Sequence, residues 1–160
     1  MAKTTRATQF LDKAGVAYTT ATYDYDPNAE RIGLQAAEAI GEHPSRVLKT
    51  LMAELDGKPV CVVVPSDKEV SMKKLASAFG GKSAAMMKPA NAEKLTGFVV
   101  GGISPFGQKR MLSTVIDESA VLHTTIFVSG GRRGLDIEVG AVDLIAALHA
   151  TLGAIATAND

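Results

Sequence analysis

Apolar and polar positions along the chain alternate with two periods, and each change of period marks an expected element. Ala7, Phe10, Leu11 and Ala14 recur at helical spacing through residues 5–14, and Gly15 follows as a stop. Residues 16–25 are rich in Thr and Tyr and predict a strand. Residues 34–40 predict a second helix, closed by Gly41 and then Pro44. Residues 47–55 and 58–65 predict two strands joined by Asp56-Gly57, a strong hairpin signal. Ser71 is placed to cap a helix reaching Phe79, ahead of Gly80-Gly81. A short strand over residues 82–87 and a short helix over 89–95, with Pro89 at its start, come next. Residues 98–101, 111–116, 124–128 and 135–139 predict strands, and residues 142–152 an amphipathic helix followed by Gly153. Hairpin-like links outnumber clean βαβ units. The expected architecture is therefore α+β, a single domain over residues 1–160 with a mixed, curved or barrel-like sheet.

Composition narrows the class. A chain of 160 residues with 46% hydrophobic content and no low-complexity tract supports one folded core. The single Cys61 excludes an internal disulfide and a Cys-rich metal site, as suits a reducing compartment. The N-terminal segment is amphipathic and is no signal core, and apolar stretches such as residues 60–65 fall far short of the ~20 residues of a membrane helix. A cytoplasmic protein without a membrane partner is expected. Lys plus Arg and Asp plus Glu both number 17, which argues against a broad grip on nucleic-acid phosphates, and no DNA partner is expected. Residues 1–72 carry 8 basic and 10 acidic side chains and residues 73–160 carry 9 and 7, so any nucleic-acid contact should be local.

Lys49 is the most informative single residue. Period-two alternation puts it on one face with the aliphatic Val47 and Leu51. It is either a snorkelling edge lysine or a cation held against a desolvation cost, poised for a phosphate, carboxylate or developing oxyanion. Gly101-Gly102-Ile103-Ser104-Pro105 follows an expected strand; glycine pairs let backbone approach a ligand and aim N–H groups at an anion, although tight loops use the same residues. Ser129-Gly130-Gly131-Arg132-Arg133-Gly134 reads as a second glycine turn with two cations. Asp136 just beyond could pair with Arg132, Arg133 or Lys49, or form an ordinary surface ion pair. Neither a P-loop nor a G-x-G-x-x-G fingerprint is met, and no G-x-S-x-G elbow supports a serine hydrolase. His43, His123 and His149 show no metal-ligand spacing, so neither a metal nor another cofactor is expected. Cys61, inside an apolar strand, reads as buried and inert, and Met86-Met87 as core packing.

Lys49-Thr50-Leu51, the run from Val100 to Lys109 and the run from Val128 to Glu138 together resemble the YbaK family, free-standing relatives of the editing domain inserted in bacterial prolyl-tRNA synthetase. The likeness spans residues 6–150 in the family's order. It implies a mixed β-barrel-like sheet surrounded by helices, and a trans-editing deacylase that removes a mischarged amino acid from tRNA, with Cys-tRNA(Pro) the best-known substrate. It places the catalytic group at Lys49, Gly101, Gly102 and Ser129. It places substrate binding at Tyr23, Ile32, Gly33, Thr50, Ile103, Ser104, Pro105, Gly130, Gly131 and Asp136. The implied partners are the acceptor end of an aminoacyl-tRNA and prolyl-tRNA synthetase. At Ile32-Gly33 the family's phenylalanine before the glycine is replaced, which changes one pocket wall and leaves the amino acid open. Removal of Ala, Ser or Thr is the alternative activity. A non-catalytic module binding an aminoacyl-adenosine-like ligand or a synthetase is the alternative class.

Overall fold

The computed structural model describes residues 4–29 and 32–158, the side chains of Ile32, Gly33 and Ala158 excepted. Helix α1 (Arg6–Ala14) starts where Thr5 and Thr8 exchange side-chain-to-backbone hydrogen bonds, satisfying two otherwise orphaned N–H groups, and stops at Gly15 in the left-handed region (φ 70°). It buries Ala7 and Leu11, as the spacing requires. Strand β1 (Tyr18–Thr22) and helix α2 (Ile32–Ile40) follow. Strands β2 (Leu48–Leu55) and β3 (Lys58–Pro65) form the expected hairpin. Its two-residue turn has Asp56 and Gly57 both at positive φ (48° and 82°), matching the twist of the strands. Strand β4 (Lys68–Val70), helix α3 (Met72–Ala78, capped by Ser71), strand β5 (Ala84–Met86) and helix α4 (Pro89–Thr96) complete the first half. The second half holds β6 (Thr114–Asp117), a 3-10 turn (Glu118–Leu122), β7 (Thr125–Arg132), β8 (Leu135–Gly140), α5 (Ala141–Leu148), β9 (Thr151–Gly153) and β10 (Ala156–Ala158).

The sheet is mixed. Five strands run in the order β5-β2-β3-β6-β9, with the β2 pairs antiparallel and β3-β6 and β6-β9 parallel. A second, antiparallel sheet is ordered β1-β8-β7, and β10 pairs with β4. The α+β expectation holds. The barrel does not close by continuous hydrogen bonding among the described residues; the two larger sheets meet at an isolated bridge between Val47 and Phe127. The main core lies between them, with Leu11, Met52, Val63, Phe106, Ile126 and Leu144 fully or nearly fully buried.

Three expected elements differ. Residues 98–101 are not a strand: Phe98 is buried while Val99 and Val100 are both exposed, and a turn closes with Gly102 N–H donating to Val99 O (2.8 Å). Ser129-Gly130-Gly131 is not a turn but lies inside β7, where the register to β8 slips between Ser129 and Arg132; the turn itself is Arg133-Gly134. The last helix ends at Leu148 because His149 turns left-handed (φ 51°), freeing Leu152 to pair with Ile116 on the otherwise open edge of β6.

Candidate active site

Strand β2 pairs with β3 along its whole length but with β5 only at Ala53, Glu54 and Leu55. Between the Val47 bridge to Phe127 and the Met52 carbonyl, which accepts from Met87 N–H, the other edge of β2 has no strand partner. A cavity of ≈ 330 Å³ occupies this gap, so consecutive residues from Leu48 to Met52 border it regardless of strand alternation. The 98–103 loop, the start of α4 and the β7–β8 ladder supply the remaining walls. Larger concavities include two of ≈ 670 and ≈ 760 Å³ along the 3-10 turn and one of ≈ 470 Å³ between α4 and the β2–β3 hairpin. Of the acids that line the first two, Asp117 is tied to Ser119, Ile155 and Ala156, and Glu138 to Arg46 and Thr125.

The cavity gathers half of the sequence candidates. Tyr23, Lys49, Thr50, Gly101, Ile103, Ser129 and Asp136 all line it. The other candidates stand elsewhere. Gly102 is buried, with a Cβ-less face pressed on the Arg132–Arg133 backbone, and its N–H is already engaged. Ser104 and Pro105 are buried behind the wall, with Ser104 Oγ accepting from Phe106 N–H (3.2 Å). Gly130 and Gly131 pack against Leu135, Phe98 and Thr5, and Gly130 O accepts from Thr5 Oγ1. Their smallness is thus accounted for by packing. The side chains at Ile32 and Gly33 lie outside the described residues.

One end of the cavity is polar. Ser129 and Asp136 are direct cross-strand partners, so their side chains share a face. Asp136 is only 4% exposed and, among the described residues, no cation lies within ion-pair distance of it; the expected pairing with Arg132, Arg133 or Lys49 is not formed. Burial raises its carboxyl from an ordinary 3.8 to about 7. Tyr23 is pushed up to about 12, first by burial and then by the charges of Asp136 and Tyr25, while a backbone hydrogen bond at Gly134 pulls the other way. Lys49 is half-buried and makes no hydrogen bond or ion pair among the described residues. Burial lowers its pKa, and the more distant charges of Glu69 and Asp67 oppose that shift. The other end is apolar, walled by Met52, Met87, Ala92 and Ile103.

Sequence reasoning missed two contributors. Met86, read as core, is 48% exposed at the cavity wall, and only Met87 packs into the core. Tyr25 approaches Gly101 and lies beneath the Arg133 guanidinium (5.1 Å), whose Nε donates to Val100 O (2.9 Å). Neither carried a spacing signal, because β5 ends at Met86 and the Tyr25 contact joins residues a hundred positions apart. Cys61 is 1% exposed and its thiol is pushed up to about 12 by burial, in keeping with an inert residue. Ser45 bridges His43 and His123, which looked isolated in sequence. No group of three possible metal ligands occurs among the described residues.

Fold and cavity together define a small α+β domain with a half-buried lysine and a near-neutral carboxyl in the lining of one compact binding site. Residues 26–147 match the Aminoacyl-tRNA editing domain family, and the chain belongs to that family. It is 30% identical over 155 residues, 96% of this chain and 93% of the relative, to the Enterococcus faecalis protein named "Putative Cys-tRNA(Pro)/Cys-tRNA(Cys) deacylase EbsC". It is 25% identical over 112 residues, 70% of this chain and 67% of the relative, to the Escherichia coli Multifunctional Ser/Thr-tRNA deacylase ProXp-y. Among solved structures, one described as "a putative trans-editing enzyme for prolyl tRNA synthetase" superposes with a TM-score of 0.80 at 21% identity, covering 95% of both chains. That likeness concerns the fold. No helix among the described residues is long and apolar enough to cross a membrane.

Proposed function

We propose that the protein is a trans-acting deacylase that cleaves the ester between a small mischarged amino acid and the terminal ribose of tRNA. The observation that carries this reading is the convergence of Lys49, Tyr23, Ser129, Asp136 and Gly101 on one cavity of ≈ 330 Å³. That volume is at the small end of ligand sites and suits an aminoacyl group with part of its ribose. The relatives named as Cys-tRNA(Pro) and Ser/Thr-tRNA deacylases support the same class. The surface outside the cavity is also suited to RNA. Arg6 and Lys109 both pack over Gly97, and Arg133 sits on Val100; among the described residues ion pairs involve only Arg46, and no described carboxylate pairs with these three cations. Arg133 stands against the cavity wall at Val100 and the other two against the neighbouring Gly97, which gives a short phosphate backbone a local hold on an otherwise neutral protein.

In this reading Asp136, Tyr23 and Ser129 take the substrate's α-ammonium, and Lys49 holds the terminal phosphate or ribose. The ester carbonyl lies against the 98–103 loop. Gly102 N–H is committed to Val99 O, so Gly101 N–H, which has no protein acceptor among the described residues and borders the cavity, is a loop donor open to the developing oxyanion. An ester is labile enough that positioning and charge stabilisation suffice. With a cysteinyl ester the substrate thiol attacks its own carbonyl: the C–S bond forms, the C–O bond to the ribose breaks, and the thiol proton passes to the ribose oxygen, giving a thiolactone. With other amino acids water attacks. Prolyl-tRNA synthetase is the partner that would supply tRNA selection.

A deacylation panel with Cys-, Ala-, Ser- and Pro-tRNA(Pro), for wild type and Lys49→Ala, tests the reading. Wild type should clear at least one mischarged tRNA, and Lys49→Ala should lose ~100-fold or more in rate. Charged tRNA that persists at the blank rate with every substrate would overturn the enzyme reading. Full activity in Lys49→Ala would remove Lys49 from the mechanism.

A further inference from the structure

Thr50 sits midway along the unpaired edge of β2, between Lys49 and Met52, which line the same cavity, Met52 on its apolar wall. By strand alternation it shares a face with Leu48 and Met52, which pack into the main core together with Ala92 and Ile103. Its hydroxyl oxygen is closed off from solvent and has no hydrogen-bond partner among the described residues. A buried hydroxyl left in that state destabilises the fold, and native proteins satisfy the great majority of such groups. The strand places no acceptor or donor for it, although Val, with the same shape and β preference, would fill the position without this cost. A partner that arrives with the ligand accounts for the retained hydroxyl.

The cavity's layout indicates which part of the ligand that is. Tyr23 and Ser129 are the other hydroxyls in its wall, and both stand with Asp136 at the polar end. The α-ammonium belongs there, against the buried carboxylate and phenol. The remaining space for an amino-acid side chain is the apolar end, where Thr50 is the single hydroxyl among the described lining residues. We propose that Thr50 is a specificity-determining residue: its hydroxyl reads a hydroxyl or thiol on the β-carbon of the aminoacyl group, favouring seryl and cysteinyl over alanyl substrates. This rests on the deacylase reading for its ligand class. A staggered rotation about χ1 is enough to turn the hydroxyl from the strand into the cavity.

The discrimination has a physical ceiling and a direction. A hydrogen bond made only with the polar side chain gives about tenfold over its apolar counterpart, and a thiol, the weaker partner, less. Pro-tRNA gains nothing from Thr50, because proline has no donor or acceptor on its ring carbons.

The test uses Thr50→Val and Thr50→Ser in the full chain, with two readouts. The first is calorimetric binding of non-hydrolysable 3′-aminoacylamido-adenosines carrying Ser, Cys or Ala; the second is deacylation of the corresponding tRNAs. Wild type should bind the seryl compound ~10-fold more tightly than the alanyl one, Thr50→Val should equalise them, and Thr50→Ser should restore the difference. Thr50→Val should also melt about 2–4 °C higher, since it removes the unpartnered hydroxyl. Equal weakening of all three compounds in Thr50→Val, or no change in any, would overturn the proposal. Loss of the seryl preference in binding without turnover of any tRNA would uphold Thr50 as the reader and refute the deacylase reading alone.

Discussion

Gly102→Ala isolates the contact that fixes the cavity wall to the β7–β8 hairpin. Gly102 does not lie in the left-handed region, so alanine adopts its backbone without strain, and the whole effect is steric. A Cβ built there falls 2.7 Å from Arg132 C and Arg133 N and 2.8 Å from Arg132 Cα, whereas ordinary contact begins at 3.4 Å. All three atoms are backbone, so no rotamer relieves the overlap. The hairpin or the loop must retreat by about 0.7 Å. Overpacking of this kind costs about 1–3 kcal/mol, which for a chain of this length lowers Tm by about 4–8 °C near the middle of that range. The same displacement moves Gly101 relative to Ser129 and Asp136, which lie on the hairpin's strands. Misplacement approaching 1 Å reduces kcat/KM on the order of 10- to 100-fold. Urea denaturation and single-turnover deacylation of the best substrate measure the two effects. Gly41→Ala is the control: its φ of 82° imposes backbone strain of about 1 kcal/mol, but nothing lies within 4 Å of the added methyl, so its activity should stay at the wild-type level. A Gly102→Ala protein as stable and as active as wild type would refute the close approach.

Asp136 titrates near 7 when folded and near 3.8 when exposed, so folding takes up a proton. Its contribution is fully present below pH 4, is lost as pH rises through 7, and amounts to about 4 kcal/mol across that window. Asp136→Asn should flatten the urea stability profile between pH 4 and 7 and be the more stable protein at pH 8; superimposable profiles would show that the carboxyl is not desolvated. Cys61 should resist iodoacetamide in the native protein and react on unfolding, and Cys61→Ser should keep near-wild-type turnover, whereas inactivation by alkylation of the folded protein would make the thiol part of the site. Lys109→Gln and Arg6→Gln should each raise KM for tRNA several-fold with kcat unchanged and make the salt dependence of kcat/KM shallower by about one charge. A fall in kcat at constant KM would remove these cations from the RNA surface.

Local chemistry in the sequence was enough for the elements that close on themselves. The Gly15 stop, the Asp56-Gly57 hairpin and the Ser71 cap are each decided within a few residues, and each stands where the pattern put it. The family resemblance likewise picked out residues that do meet around one cavity. What sequence could not decide depends on contacts between distant segments. Phe98–Gly101 has strand composition but folds into a turn that Gly102 N–H closes on Val99 O; residues 151–153 have helical neighbours but are taken by the open edge of β6. The glycines at 130 and 131 look like an anion cradle in sequence. In the fold they make room for Thr5, Phe98 and Leu135, because β7 bulges there against α1. The pocket lies where β5 stops pairing with β2 at Ala53, and around it Lys49 is half-buried while, among the described residues, Asp136 has no counterion and the Thr50 hydroxyl no partner. Burial and the absence of a partner are properties of assembled neighbours, not of any one segment, and only the tertiary structure determines them.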